Sequence, residues 1–242
     1  MSENQIIATG YEYGADGRLL GVKYCYNRPV ALWELIIPHG SDTATSPENV
    51  IACTARKFTP SHLSSRSPRV DQHGSMVVWV SNKTGGPHAS CVSLHSLDTH
   101  SKEIRTLVDT VWEPGPDEFP GLYTDYGLPS SPFLQLSSAT YVVIHSTWHS
   151  RSTVLLISCL DGSVRDLTPD EDGKLYSWTV LGTDMQNQVV CVRSSLTTPH
   201  EVVLGRFDDS GSVKWQVIDR PMLTPEGEKS SVTPLSKFNA LF

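Results

Sequence analysis

The chain has 242 residues, of which 38% are hydrophobic and 19% charged, with a formal net charge of −7. That is enough chain for a sizeable core, and without a polybasic stripe neither nucleic acid nor an anionic membrane is an expected partner. No apolar run approaches the ~20 residues of a membrane span, and the N-terminus lacks the basic-then-apolar pattern of a secretion signal.

The elements read as strands throughout. Short runs rich in Val, Ile, Leu, Tyr and Trp alternate with turns, and no long stretch keeps an apolar period of 3.6 residues. In chain order, a loose first unit pairs LLGVKYCY (Leu19–Tyr26) with ALWELII (Ala31–Ile37). A second unit runs MVVWV (Met76–Val80), CVSLHSLD (Cys91–Asp98) and EIRTLVD (Glu103–Asp109). A third runs YVVIHSTW (Tyr141–Trp148), TVLLISCLDG (Thr153–Gly162) and SVRDLT (Ser163–Thr168). A fourth runs QVVCVRS (Gln188–Ser194), EVVLGRFDDSG (Glu201–Gly211) and SVKWQVID (Ser212–Asp219).

Each clear unit is a buried strand, a loop, a second strand, an Asp/Gly turn and a more polar third strand. Val78, Val143 and Val190 mark the first of these strands and stand 65 and 47 residues apart. Self-similarity near 40–50 residues, stretched by loops, is the mark of β-propeller blades, which must stack on neighbours to bury their faces. The predicted fold is all-β, a partial propeller of about four blades over residues 1–220, followed by a linker-like tail over residues 221–242. That tail includes the Pro/Ser/Glu-rich stretch Met222–Lys237. A β-sandwich with coincidental spacing is the competing reading.

Five cysteines (Cys25, Cys53, Cys91, Cys159 and Cys191) are dispersed, with no CxxC pair. An odd, scattered set reads as buried thiols in a reducing compartment, so the expected location is cytoplasmic. Asn82-Lys83-Thr84 fits a glycosylation acceptor, which without a secretion signal reads as chance.

Several segments resemble successive pieces of the propeller of acylaminoacyl-peptidase, the acylamino-acid-releasing enzyme of the prolyl oligopeptidase clan. They are GRLLGVKYCYNRPVALWEL (Gly17–Leu35), SSRSPRVDQHGSMVVWV (Ser64–Val80), GGPHASCVSLHSLD (Gly85–Asp98), DEFPGLY (Asp117–Tyr123), HSRSTVLLISCLDGSVRDLT (His149–Thr168) and SSLTTPHEVVLGRF (Ser194–Phe207). The sharpest element is Cys25-x-Asn27-Arg28. The resemblance covers roughly Leu19 to Asp219 and implies a seven-bladed ring in the family, covering the cleft of a serine hydrolase domain and restricting it to short N-acylated peptides. The hydrolase half and part of the ring have no counterpart here. The chain is therefore expected to be a fragment, a truncated gene product or a shortened isoform.

One stretch imitates an active site. TGGPHASC (Thr84–Cys91) is similar to the His-Gly-Gly-Pro-His loop that lies near the oxyanion in such peptidases. In the family that loop belongs to the hydrolase domain. Here Gly85-Gly86-Pro87-His88 falls inside the propeller match, and Thr84 stands where the first His would be. No Gly-x-Ser-x-Gly string occurs anywhere; Gly74-Ser75 and Gly211-Ser212 have serine directly after glycine and run on into strands. An acid and a base without an activated nucleophile make no acyl-transfer site. His145, His149 and His200 lack metal-ligand spacing, Trp79, Trp148, Trp178 and Trp215 read as blade packing, and a Gly-rich phosphate loop is missing.

The expectations are accordingly no catalytic, cofactor-binding or metal-binding residue and no cofactor. The implied partners are the hydrolase domain and the missing blades, with short acylated peptides only in a full enzyme. Self-association is also expected, through open blade faces lined by Val78, Trp79, Val143 and Val190. A free-standing propeller-like protein-interaction module is the alternative.

Overall fold

The computed structural model describes residues 4–14, 16–19, 28–38, 53–124, 127–137, 139–169, 175–208 and 210–221. Among them are strands and turns and no α-helix. The chain divides into two compact units, Met1–Pro114 with Gly121–Leu128, and Gly115–Pro120 with Pro129–Phe242.

In the first unit, β1 (Gln5–Tyr11), β2 (Val30–Ile36) and β3 (Thr54–Lys57) form an antiparallel sheet with β2 in the middle. A four-stranded meander follows in β4 (Leu63–Val70), β5 (Met76–Lys83), β6 (Ser93–Asp98) and β7 (Ile104–Val108). The two sheets are joined by a parallel pairing of Val30 with Ser64. Side chains alternate across a strand, so one face of β1–β2 presents Ile7 and Leu32 to Val77, Trp79 and Leu97 of the meander. Phe58 closes edge-to-face on the Trp79 ring at 5.7 Å. The ion pair of Lys102 Nζ with the buried Glu34, at 2.9 Å, ties the β6–β7 turn back to β2.

The second unit repeats the meander twice: β8 (Phe133–Leu136), β9 (Ala139–Trp148), β10 (Arg151–Ser158), β11 (Val164–Asp166); then β12 (Ser177–Thr183), β13 (Gln188–Ser194), β14 (Glu201–Phe207), β15 (Val213–Asp219). Leu134, Val143, Val154 and Leu156 of the first sheet pack on Trp178, Val180, Val189 and Cys191 of the second in one apolar core. Trp215 stacks obliquely on Trp178 at 4.9 Å and donates its indole N–H to the Leu167 carbonyl at 3.2 Å. Gly205 makes room for that ring, since a Cβ there would stand 2.6 Å from it.

Equivalent turns recur. Asp98 accepts backbone N–H bonds from His100 and Ser101 at 2.8 Å between β6 and β7. Asp161 accepts one from Ser163 at 3.0 Å between β10 and β11, and Asp208 from Ser210 and Ser212 between β14 and β15. These are the short polar turns that an aspartate side chain nucleates. Gly162 and Gly211 supply left-handed conformations at φ 74° and 77°, and Lys102 occupies one at φ 61° in the first of these turns. This is a partial propeller of about four blades.

The blade has one strand more than the sequence units contain. β4, β8 and β12 each precede a predicted first strand, and only β12 alternates polar with apolar residues, over Ser177–Val180. β4 is mostly polar and is interrupted by a bulge between Arg66 and Arg69, with Ser67 at φ 57°. β8 has four residues, and β12 bulges between Val180 and Gly182. Such short or broken strands leave little periodic signal, and neighbouring strands decide them. Of the loose first unit, residues 20–27, with Cys25 and Asn27, lie outside the described residues, as does the tail beyond Pro221.

Two further expectations change. Cys91, Cys159 and Cys191 are buried, but Cys53 is exposed. Val78, Trp79 and Val143 do not line open faces, being 0%, 2% and 0% exposed. The strand marks Val78, Val143 and Val190 do share an equivalent face of their sheets. That face is opposite Val77 and Trp79 in β5 and opposite Val189 and Cys191 in β13.

Candidate functional site

The Thr84–Cys91 stretch is the connection from β5 to β6. Thr84 is held by its N–H and hydroxyl, which donate to the His62 carbonyl at 3.1 and 3.2 Å. Gly85 takes φ 75° and Ala89 φ 52°, so the loop is a pair of tight surface turns. Pro87 and His88 are exposed, and Lys83 at the end of β5 sits over the Trp112 ring at 5.4 Å. The loop's amides therefore belong to a blade connection, with no serine presented to them by a strand-to-helix turn.

The three histidines singled out by sequence occupy separate structural positions. His145 Nδ1 accepts the Val180 N–H at 3.2 Å, fastening β9 to β12. His149 takes φ 54° in the β9–β10 turn, and His200 is exposed just before β14. Among the described residues, no group of three or more His, Cys, Asp or Glu side chains is placed to hold a metal ion. Trp79, Trp178 and Trp215 pack in the blade cores, and Trp148 meets Phe119 edge-on at 5.7 Å.

Sequence reading missed the strongest polar constellation, which strand register assembles from distant residues. Ser65, Ser81 and Ser93 stand side by side on β4, β5 and β6, and all three are buried. Ser81 Oγ meets His95 Nε2 at 2.7 Å, while His95 Nδ1 meets Thr106 Oγ1 at 3.1 Å. The imidazole stacks on Trp79 at 5.4 Å. Burial holds its pKa below the ordinary histidine value, with the Asp109 charge opposing that shift.

A serine on a histidine nitrogen has the outline of a nucleophile and its base, but the chemistry does not follow. Ser81 is 2% exposed, so no substrate carbonyl reaches its oxygen. The orienting position at Nδ1 holds a hydroxyl, and the Asp109 carboxylate is engaged by Ser93 Oγ at 3.0 Å and the Thr110 N–H at 2.7 Å. A triad needs an accessible nucleophile and an acid on the far side of the base. The cluster is a polar seam within a blade. Only i, i+14 spacing of Ser81 and His95 could have hinted at it, and that spacing has meaning only once β5 and β6 are in register.

A second charged group lies at the end of β13. Arg193 Nε donates to Glu201 Oε2 at 2.9 Å with both side chains 8% exposed, and its guanidinium lies over the Tyr176 ring at 4.3 Å. Arg220 approaches the other carboxylate oxygen at 3.4 Å. Complete pairing of this kind serves the fold.

A set of propeller blades is the class of protein that these observations define. The comparisons identify which one. Residues 2–229 match the model of the acylamino-acid-releasing enzyme N-terminal domain, and the chain belongs to that family. It is 31% identical over 216 residues to the acylamino-acid-releasing enzyme of Arabidopsis thaliana, covering 83% of this chain and 27% of the relative. It is 28% identical over 245 residues to acylamino-acid-releasing enzyme 1 of Oryza sativa subsp. japonica, covering 95% and 31%. For the Mus musculus enzyme the identity is 26% over 210 residues, covering 86% and 26%. The chain thus spans about a quarter to a third of the length of these relatives and corresponds to their non-catalytic propeller portion, without the hydrolase domain.

Proposed function

We propose that this chain supplies the screening propeller of an acylamino-acid-releasing peptidase, admitting short N-acylated peptides to a serine hydrolase domain that the 242 residues do not include. The observation that carries the reading is the family match over residues 2–229, on a chain without any Gly-x-Ser-x-Gly string. Residues 1–220 form the blades in this reading, and residues 221–242 lead out of them. No residue of the chain serves as catalyst, metal ligand or cofactor ligand. A reducing, cytoplasmic setting is proposed with it. Three buried thiols support that setting, and burial pushes the Cys191 thiol up to about 12, which leaves it unreactive.

The test has two arms. The purified chain, incubated with N-acetylated short peptides and with a fluorophosphonate probe, is expected to release no acetylated amino acid and to take no covalent label. Stoichiometric labelling of any serine overturns the non-catalytic assignment. In the second arm the chain is added to the separately produced hydrolase domain of the rice enzyme. The expected result is a lower rate on long peptides and an unchanged rate on short ones. Equal rates on both with and without the chain sink the screening role.

A further inference from the structure

The two ends of the second unit are finished differently. At one end lie the turns between β10 and β11, β12 and β13, and β14 and β15, the first and last of them joined where Arg165 donates to the Gly211 carbonyl. Each is closed by an aspartate on its own backbone. Asp184 Oδ1 accepts the Gln186 and Gln188 N–H groups at 2.9 Å, Asp208 Oδ1 those of Ser210 and Ser212 at 2.9 and 3.0 Å, and Asp161 Oδ1 that of Ser163 at 3.0 Å. Turns that satisfy their own polar groups in this way are complete without a partner.

The opposite end is built from longer connections with apolar tips. The Ser152 N–H donates to Ser177 Oγ at 3.4 Å, which sets the β9–β10 turn beside the start of β12. Ser177 pairs with Ser194 at the edge of the β12–β13 ladder, and Leu175 and Leu196 lie two residues beyond that pair on their two strands. Their side chains are 61% and 62% exposed. They do not sit on loose chain. Tyr176 donates its hydroxyl to Thr198 Oγ1 at 3.4 Å, tying the two connections together, and the Arg193 guanidinium lies over the Tyr176 ring while bonded to Glu201. At the same end, half-buried Trp148 meets Phe119 edge-on. Exposed leucines held on a fixed base are the mark of a contact surface.

We propose that the Leu175–Leu196 end of the second unit is the docking surface for the domain that follows this one in the polypeptide. The inference rests on the proposed function, in which that domain is the hydrolase. Two observations select the occupant. The matching family model is that of an N-terminal domain, and this chain covers 31% of the rice relative and 27% of the Arabidopsis one, so the larger remainder lies beyond it. The last strand also runs to this end: Asp219 of β15 stands opposite Val202, at the start of β14, so the chain beyond Pro221 leaves beside Leu175 and Leu196. A domain tethered there meets the two leucines at once, whereas the aspartate turns are about 20 Å away along the strands. The partner surface this end calls for is an apolar patch.

The test compares the two ends. Binding of the 242-residue chain to the separately produced hydrolase domain of the rice enzyme is measured by titration calorimetry, beside hydrolysis rates on long and short peptides. The double variant Leu175→Glu with Leu196→Glu places charges in the apolar contact and is expected to bind at least about tenfold more weakly. Leu160→Glu alters an exposed leucine at the aspartate-turn end and is expected to bind as the wild type does. All three positions are exposed, so circular dichroism and melting curves should match the wild type; if the double variant melts early, Leu175→Gln with Leu196→Gln replaces it. Equal affinity for the double variant and the wild type overturns the docking surface, as does a loss of affinity in Leu160→Glu alone. In either case a wild-type chain that still slows only long peptides leaves the screening role standing. Weakened binding by the double variant, with a wild-type chain that changes neither rate, supports the docking surface and sinks the screening role. A wild-type chain that does not bind overturns both.

Discussion

The two units build the same kind of sheet-to-sheet contact from different materials. In the second unit the seam between β8–β11 and β12–β15 is built on an apolar core with Trp178 and Trp215 at its centre, flanked by His145 and by the Arg193–Glu201 pair. In the first unit the seam narrows to Leu32, Val77, Trp79 and Leu97, and beside it run Ser65, Ser81, Ser93 and His95. Blade stacking thus tolerates a polar stripe in which Ser81, His95 and Thr106 bond one another, and His95 makes that seam sensitive to protons.

Removing an aromatic ring from each seam gives the largest expected effect. Trp178→Ala should cost about 3–5 kcal/mol of stability, since a fully buried indole leaves a cavity between two sheets. Trp79→Ala should cost a similar amount and also loosen His95, whose ring stacks on it. Denaturant unfolding followed by fluorescence checks both; a loss under about 1 kcal/mol at Trp178 would mean that the apolar seam is not the principal support of its unit.

Overfilling comes next. Gly205→Ala places a methyl 2.6 Å from the Trp215 ring and 2.9 Å from Val189, and a loss of about 1–3 kcal/mol is expected. The thermal midpoint reads it, and an unchanged midpoint would show that the Trp178–Trp215 stack can shift freely.

The polar stripe predicts a smaller effect with a definite sign. His95 has a folded pKa below its unfolded value of 6.5, because burial disfavours the imidazolium more than Asp109 favours it. The unfolded chain therefore binds the extra proton first. Stability is full above pH 6.5 and declines as the pH falls towards the folded pKa, then levels off. His95→Gln keeps hydrogen-bonding capacity and should flatten this part of the melting profile between pH 5 and 8. A profile of equal slope in the variant would remove His95 from the account.

The turn aspartates sharpen the contrast by failing to distinguish the units. Backbone N–H bonds at Asp98 and Asp161, and at Asp208 first the Ser210 hydroxyl and then backbone N–H groups, depress the three carboxyls below the ordinary 3.8, and Asp161 to about 2. Their contribution is present above pH 3.8 and is lost as the pH falls through the folded values, so acid should loosen equivalent turns in both units together. Carboxyl titration by NMR tests this directly. The smallest expected change is chemical: native alkylation should modify Cys53 readily while Cys91, Cys159 and Cys191 react only after denaturation. A native disulfide would contradict the reducing setting.

Much of the fold can be read along the chain. In the last three sheets the second strand carries a continuous apolar run, and Asp98, Asp161 and Asp208 announce the turns after the third, because local periodicity and turn chemistry act over a few residues. The spacing of Val78, Val143 and Val190 marks the repeat, and the quoted segments point to the family. The first strand of each blade is invisible by those means. β4 carries Pro68 and a bulge, β8 has four residues, and both are strands because a neighbour offers hydrogen bonds at the right distance.

The same division holds for the candidate site. The absence of a Gly-x-Ser-x-Gly string is a property of the sequence alone. That Ser81 and His95 touch, and that Ser81 is sealed from substrate, is decided by the register of β5 on β6 and by the sheet that packs over them. Burial was the quantity least available beforehand. Val78, Trp79 and Val143 have the same apolar character as Val190, yet they are enclosed while Val190 remains half-exposed. A residue's hydrophobicity is local, but whether another sheet covers it depends on contacts far away in the chain.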